Sequence, residues 1–409
     1  MQPRWQRWKW TLLTVALAMT CISALIAHPD AFARMGVFSL KPIFLDLRAV
    51  LAAGEGHVRG VDVYEGNPFD PLGRPHVYGP LWLLVGRLGL VTEDAWWVGA
   101  LLVGAFVAVA SFLMAPRTLP MAIGTALLLL CPPMLLGIER ANNDLIIFFL
   151  LTLGAIGLGR DDRVGTVLAW AALTLAAVLK FYPLVCLGAL LMLSGGLRRS
   201  GAWIVLGAVV FAAMWYLQRV EIARVLGVTP QPTSVFSYGI RVPGLAWTLL
   251  AKERAWLLMA AVPTLTAGAV WLWRARGELA AAIAPAGWRT GAALIGGLAW
   301  VFCYLAALNY AYRAVLFFLI WPVLFAENAS RAARQLGWLM GIMVWLAWPT
   351  FQMAAAAEAA NWKTWRVHVL AVLATIMHVV VLIVTVAIAW MLWSWLRRRW
   401  QSGALAWKS

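Results

Sequence analysis

Long apolar runs broken by short polar stretches set the rhythm of this chain. The runs cover 10–27, 95–115, 119–138, 145–159, 164–179, 182–196, 201–217, 255–273, 290–308, 314–326, 336–350 and 367–396. Many approach the roughly 18–20 apolar residues that a helix needs to cross a bilayer. The pattern predicts an all-α polytopic membrane protein with about twelve transmembrane helices. We read it as one transmembrane domain, because no soluble domain, low-complexity segment or short-period repeat interrupts it. Arg4, Arg7 and Lys9 precede the first run, and Ala31-Phe32-Ala33 has the look of a signal-peptidase site. The run from Trp10 to Ala27 is long for a signal peptide, so an uncleaved first helix is expected.

Charge orients the runs. With the N-terminus in the cytoplasm, the cytoplasmic loops carry Arg117, Arg160, Arg163, Arg198, Arg199, Arg274, Arg276, Arg331, Arg334 and Arg397 to Arg399. Asp161, Asp162, Glu278 and Glu327 are the carboxylates placed inside. This orientation holds only if 78–90 does not span, so that stretch is read as a helix at the outer interface, with Arg87 snorkelling. The first external loop then runs over 28–94 and carries a second interfacial helix near 43–53. A second external loop covers 218–254, with Pro230, Pro232, Ser234, Ser237, Tyr238, Gly239, Arg241 and Pro243 suited to closing over a substrate.

Composition agrees with a membrane solvent. The chain is 63% hydrophobic and 12% charged, more apolar surface than a soluble domain could cover. Its 26 Trp include several near predicted helix ends, such as Trp5, Trp8, Trp96, Trp97, Trp393 and Trp400, as in interfacial belts. The net charge of +16 is scattered in small groups at helix ends, which argues against a nucleic-acid partner. Cys21, Cys131, Cys186 and Cys303 all fall in apolar runs and read as small packing residues.

Four polar clusters remain, and the topology puts all of them on the external side. They are Asp46, Glu139-Arg140-Ala141-Asn142-Asn143-Asp144, Lys180-Phe181-Tyr182-Pro183 and Asn309-Tyr310-Ala311-Tyr312-Arg313. Polar and charged side chains at membrane depth are costly and mark function by default. Each also has a plain alternative. Asp46 is either a first-turn acid favoured by the helix dipole or a general base. Asn143 or Asp144 could cap the following helix, and Glu139 and Arg140 could be exposed interface residues. Lys180 either snorkels or holds a lipid-linked phosphate; Arg313 offers a guanidinium fork for the same anion. The five His show no metal-ligand spacing, and no phosphate-loop, dinucleotide or zincin motif occurs.

Taken in order, these clusters resemble the GT-C class of membrane glycosyltransferases. The likeness is nearest to glycosyltransferase family 87, which includes polyprenol-phosphate-mannose-dependent mannosyltransferases. Phe44-Leu45-Asp46-Leu47-Arg48 supplies an acid early in a long first external loop. Val63-Tyr64-Glu65-Gly66-Asn67-Pro68-Phe69 is similar to a "G-x-P-Y" region, and Tyr78-Gly79-Pro80-Leu81 to a "Y-x-P-P-L" element. The segment from Arg140 to Leu145 resembles "R-G-N-x-D-L", Lys180 to Pro183 resembles "K-x-Y-P", and Asn309 to Arg313 resembles "N-x-x-Y-R". The chain departs at Gly79, where a proline is expected, and at Phe69, where tyrosine is expected.

The resemblance implies a GT-C-like bundle and an inverting transfer; no cofactor and no metal-binding residue is expected. A mannose or another hexose or pentose would move from a polyprenyl-phosphate donor to a lipid- or glycan-linked acceptor. Asp46 would be the base. Arg48, Tyr78, Glu139, Arg140, Asn142, Asn143, Asp144, Lys180, Tyr182, Tyr238, Arg241, Asn309, Tyr312 and Arg313 would bind substrate. The implied setting is a bacterial cytoplasmic (inner) membrane, with the site facing the periplasm or cell exterior. A transporter or flippase of lipid-linked sugars is the rival expectation, and a non-catalytic assembly subunit a second. A flippase would show inverted repeats meeting near the bilayer midplane.

Overall fold

In the computed structural model, the described residues are 4–37, 39–160, 162–194, 196–229, 237–242, 254–284, 286–306, 309–359 and 364–405. Expectations on Asp161, Pro230, Pro232, Ser234 and Pro243 lie outside them. The described residues are mostly helical: α1 Arg4–Ala27, α2 Ala31–Arg34, α3 Leu45–Val58, α4 Ala95–Met114, α5 Leu119–Leu129, α6 Pro132–Glu139, α7 Asp144–Leu158 and α8 Arg163–Leu179. There follow α9 Gly196–Leu217, α10 Arg219–Val228, α11 Arg254–Ala281, α12 Trp288–Ala306, α13 Phe317–Leu324, α14 Arg331–Ala359 and α15 Thr364–Gln401. Two short strands, β1 Ser237–Tyr238 and β2 Asn309–Tyr310, pair antiparallel.

Local chemistry sets several boundaries. The Thr118 side chain accepts the Met121 N–H at the start of α5, and Asp162 accepts the Gly165 N–H at the start of α8. Pro132 and Pro133 have no N–H to give a preceding turn, so they open a new helix. α5 and α6 meet there at a bend of 57°.

Six helices among the described residues are long and apolar enough to cross a membrane, and a seventh span forms if α5 and α6 count as one. The expectation of about twelve spans is not met as a count of membrane-length helices. Apolarity alone had marked four runs whose helices are short. α7 has 15 residues and α8 has 17, while 182–196 forms a 3-10 helix, Tyr182–Met192, of 11. The run 314–326 splits into a 3-10 helix, Ala311–Leu316, and the eight residues of α13. At 1.5 Å per residue, a 15-residue helix covers roughly 22 Å of a hydrocarbon core about 30 Å thick.

α13 and one face each of α7 and α8 are buried in the interior of the bundle. Phe106, Phe148, Phe317, Phe318, Trp300 and Trp321 are buried and interlock, Phe106 meeting Phe148 edge-on at 5.3 Å and Trp300 meeting Phe317 at 4.3 Å. Outer helices turn apolar side chains outward. Val205 and Val209 of α9 and Met259 and Val262 of α11 are exposed, which suits a lipid solvent.

The basic loops gather at one end. Arg399 donates to the Leu191, Met192 and Leu193 carbonyls, and Arg398 to those of Ala280 and Ile283. Arg117 pairs with Glu327, Arg199 reaches Thr166 and Glu278 accepts the Ala332 N–H. Gly159 lies against Trp288.

The segment 28–94 forms a cap at the opposite end. It holds α3 and a 3-10 helix, Pro80–Leu88, close to where both interfacial helices are expected. The two cross backbone to backbone at Gly54 and Gly86, where a Cβ on Gly86 would sit 2.1 Å from the Gly54 carbonyl oxygen. α10 docks on the cap through Val225, which packs with Ala53, Val63, Tyr64 and Leu83, and through Arg224, which donates to Asp62 at 2.7 Å.

Candidate functional site

The four polar clusters meet where the cap joins the bundle. Phe44, in the left-handed region at φ 63°, ends the bend of residues 41–44 that leads into α3. Its N–H donates to the Glu139 carbonyl, while the Asp46 and Leu47 N–H groups donate to the Arg140 carbonyl. The first turn of α3 is thereby fastened to the end of α6. Asp46 makes no side-chain cap. Its Oδ2 instead accepts a hydrogen bond of 2.6 Å from Asn142 Nδ2, and its Oδ1 lies 3.8 Å from Arg140.

The turn from α6 to α7 supplies the rest of this half. Ala141 sits at φ 42°, an unusual conformation for a residue with a Cβ, and it aims Asn142 back at Asp46. Asn142 Oδ1 accepts the Asp144 N–H at 2.9 Å, and Lys180 Nζ lies 3.5 Å from the same oxygen. Asn142, not Asn143 or Asp144, therefore closes the start of α7. Glu139 is fully buried, takes a 2.8 Å bond from Ser39 and stands 3.9 Å from Arg140. Glu139 is thus no exposed interface residue.

The second half centres on Asp144. Its Oδ1 receives Tyr182 OH and Lys180 Nζ, both at 2.9 Å, and its Oδ2 faces Arg313 Nε at 3.9 Å. Pro183 opens the 3-10 helix that presents Tyr182, leaving Lys180 in extended backbone between two helices. The Lys180 ammonium lies 6.0 Å from the Tyr78 ring and 5.8 Å from the Tyr312 ring, and the Arg313 guanidinium lies over Tyr182 at 4.6 Å. Arg313 also donates to Asn309 Oδ1 and Cys303 Sγ, and Asn309 donates to the Cys303 carbonyl.

Capacity for a ligand is left over. Among the described residues, Arg140 Nε, Arg313 Nε, both amide atoms of Asn143, Glu139 Oε2 and Asp144 Oδ2 are buried without a hydrogen-bond partner. Buried polar groups are normally satisfied, so a cluster of open ones marks a place for water or substrate.

Three expected residues stand apart. Arg48 turns to the Ile43 and Thr92 carbonyls and braces the cap. Tyr238 is buried against Trp300 and meets the cluster through its backbone, which pairs with Asn309 and accepts from its side-chain amide. Arg241 is exposed in the turn after β1. Two other residues join without having been singled out as binding groups. Arg74 binds the buried Asp70 carboxylate at 2.9 and 3.1 Å and donates to the Leu45 carbonyl, one residue before Asp46. Tyr310 stacks on Tyr312.

Behind Tyr78 lies His76, edge-on to Tyr64 at 5.5 Å and to Tyr78 at 5.8 Å. Burial pushes its imidazole down to about 4.

No family model, curated protein or solved structure matches this chain.

Proposed function

We propose that this protein is an inverting glycosyltransferase of the outer face of a bacterial cytoplasmic membrane, using a polyprenyl-phosphate sugar as donor and a lipid- or glycan-linked hydroxyl as acceptor. The observation that carries this is the meeting of Asp46 with Arg140, Asn142, Lys180 and Arg313, from four separate segments, at the end opposite the basic loops. The positive-inside rule favours an orientation with that end away from the cytoplasm. The resemblance of the motifs to family 87 points the same way.

The chemistry suits the side chains. Asp46 is oriented by Asn142 and kept beside a cation, so its carboxylate is available to take the acceptor's proton. The acceptor oxygen then bonds to the sugar's anomeric carbon from the face opposite the phosphate. The bond from that carbon to the phosphate oxygen breaks, and the polyprenyl phosphate leaves as an anion. Lys180, Arg140 and Arg313 stand where that negative charge develops. Arg313 and Lys180 rest on Asp144 in the free protein, and the 3.9 Å spacing to Arg313 leaves room for a phosphate oxygen to compete.

The test is transfer by the purified protein from a panel of radiolabelled polyprenyl-phosphate sugars, with Asp46→Asn as the control. Transfer from one donor, lost in the variant, supports the assignment. Donor movement across a vesicle bilayer without transfer would instead make the protein a flippase.

A further inference from the structure

Four tyrosine rings surround the charged cluster, and three are already engaged. Tyr78 and Tyr312 flank the Lys180 ammonium, and Tyr182 lies under Arg313. Tyr310 is the fourth. It is half-buried, and among the described residues no cation lies over it. It stacks on Tyr312 with ring centroids 5.5 Å apart and planes 18° from parallel. Tyr312 is itself buried beside Lys180, so the pair makes a firm aromatic floor reaching out from the ammonium. The Tyr310 backbone is fixed too, because it pairs with Ser237 in the two-stranded ribbon.

We propose that the exposed part of the Tyr310 ring is the platform on which the donor's sugar lies in its pyranose form. The inference rests on the donor reading above and adds the subsite between phosphate and base. A phosphate at Lys180 and Arg313 and an attacking hydroxyl at Asp46 leave the sugar between them, and Tyr310 borders that space through Tyr312, the ring that flanks Lys180. A pyranose ring presents a flat face of polarised C–H bonds, which complements the negative face of an aromatic ring. A ring held by stacking and strand pairing loses little freedom on binding, so the contact contributes to affinity in full. The sequence motif draws the eye to Tyr312, but in the folded chain Tyr312 is the support and Tyr310 the surface.

The experiment compares binding of sugar-free polyprenyl phosphate and of polyprenyl-phosphate hexose to detergent-solubilised wild type, Tyr310→Phe, Tyr310→Leu and Tyr310→Ala. The wild type and Tyr310→Phe are expected to prefer the sugar-bearing lipid by about tenfold, the scale of one good aromatic contact. Tyr310→Leu and Tyr310→Ala are expected to lose that preference while binding sugar-free lipid as the wild type does. Leu keeps the bulk of the site, so a loss there is not a packing defect. A sugar preference retained in Tyr310→Leu or Tyr310→Ala overturns the platform. So does a parallel loss of both ligands, which would make Tyr310 structural. If Tyr310→Phe also loses the preference, the contact is the hydroxyl and not the ring face. A wild type that binds neither lipid removes the donor reading itself, and the subsite with it.

Discussion

Asn142 Nδ2 donates to Asp46 Oδ2 at 2.6 Å across 96 positions of sequence, while its Oδ1 accepts the Asp144 N–H at 2.9 Å. One amide thus links the acid beside the acceptor position to the acid that holds the two cations. Asp46→Asn should lower transfer by about 10²–10⁴-fold with donor binding kept. Asn142→Ala should lose rate to a smaller extent, because the carboxylate stays but loses its orientation. Initial rates beside donor titrations measure both. Near-wild-type turnover in Asp46→Asn would move the base to Glu139 or Asp144.

Arg313 and Lys180 should separate in how they tolerate change. Arg313→Lys keeps the charge but loses the fork that spans Asn309, Cys303 and Asp144, so donor affinity should fall by roughly tenfold or more. Lys180→Ala should weaken donor binding as well. Arg117→Ala, at the other end beside Glu327, should leave affinity unchanged. Equal affinities in all three variants would show the cations to be structural.

Ala141 marks the sharpest local constraint. At φ 42° glycine is at ease, and any larger side chain is strained. Ala141→Gly should stay within about 1 kcal/mol of wild type, its relief offset by the lost buried methyl group. Ala141→Val should cost about 2 kcal/mol or more and misplace Asn142. Thermal unfolding in detergent, read beside activity, checks the pair.

The cap is held by a backbone crossing that admits no side chain. Gly86→Ala would drive a methyl group into the Gly54 carbonyl, 2.1 Å away before relaxation. The expected cost is about 1–3 kcal/mol, concentrated in the cap. Limited proteolysis should then cut within 59–76 while the helices of the bundle stay resistant. Unchanged protection would mean that the crossing can slide apart without loss.

His76 gives the cap a pH response. Burial lowers its pKa to about 4 from the ordinary 6.5. As pH falls through 6.5, the unfolded chain takes up a proton that the folded chain refuses. Stability is therefore lost between 6.5 and about 4, by up to about 3 kcal/mol, and levels off below. His76→Phe should flatten that part of the stability profile. An identical slope in the variant would assign the response to other groups.

The sequence by itself determined the solvent of this protein, its helical class and the sidedness of its charges. Apolar runs and basic loops are local properties, and most helices begin and end within a few residues of those runs, although α11 continues to Ala281 past the run 255–273 and α14 to Ala359 past 336–350. It also marked Asp46, Asn142, Asp144, Lys180 and Arg313, because polar side chains beside apolar runs are costly enough to stand out. Length misled where the chain packs against itself. α13 is covered by its neighbours, so it can be apolar without being long enough to span, whereas α7 and α8 are covered on one face and also expose Leu153, Ile156, Val164, Val167 and Leu175. Only the tertiary structure decided the pairings: Asn142 with Asp46, Tyr182 and Lys180 with Asp144, Arg74 with the Leu45 carbonyl, and Tyr310 on Tyr312. Hydrogen bonds and ring stacks depend on distances of a few ångströms and on direction. Those are set by how α3, α6, α7 and the turns after α8 and α12 converge, and no one-dimensional pattern carries that geometry.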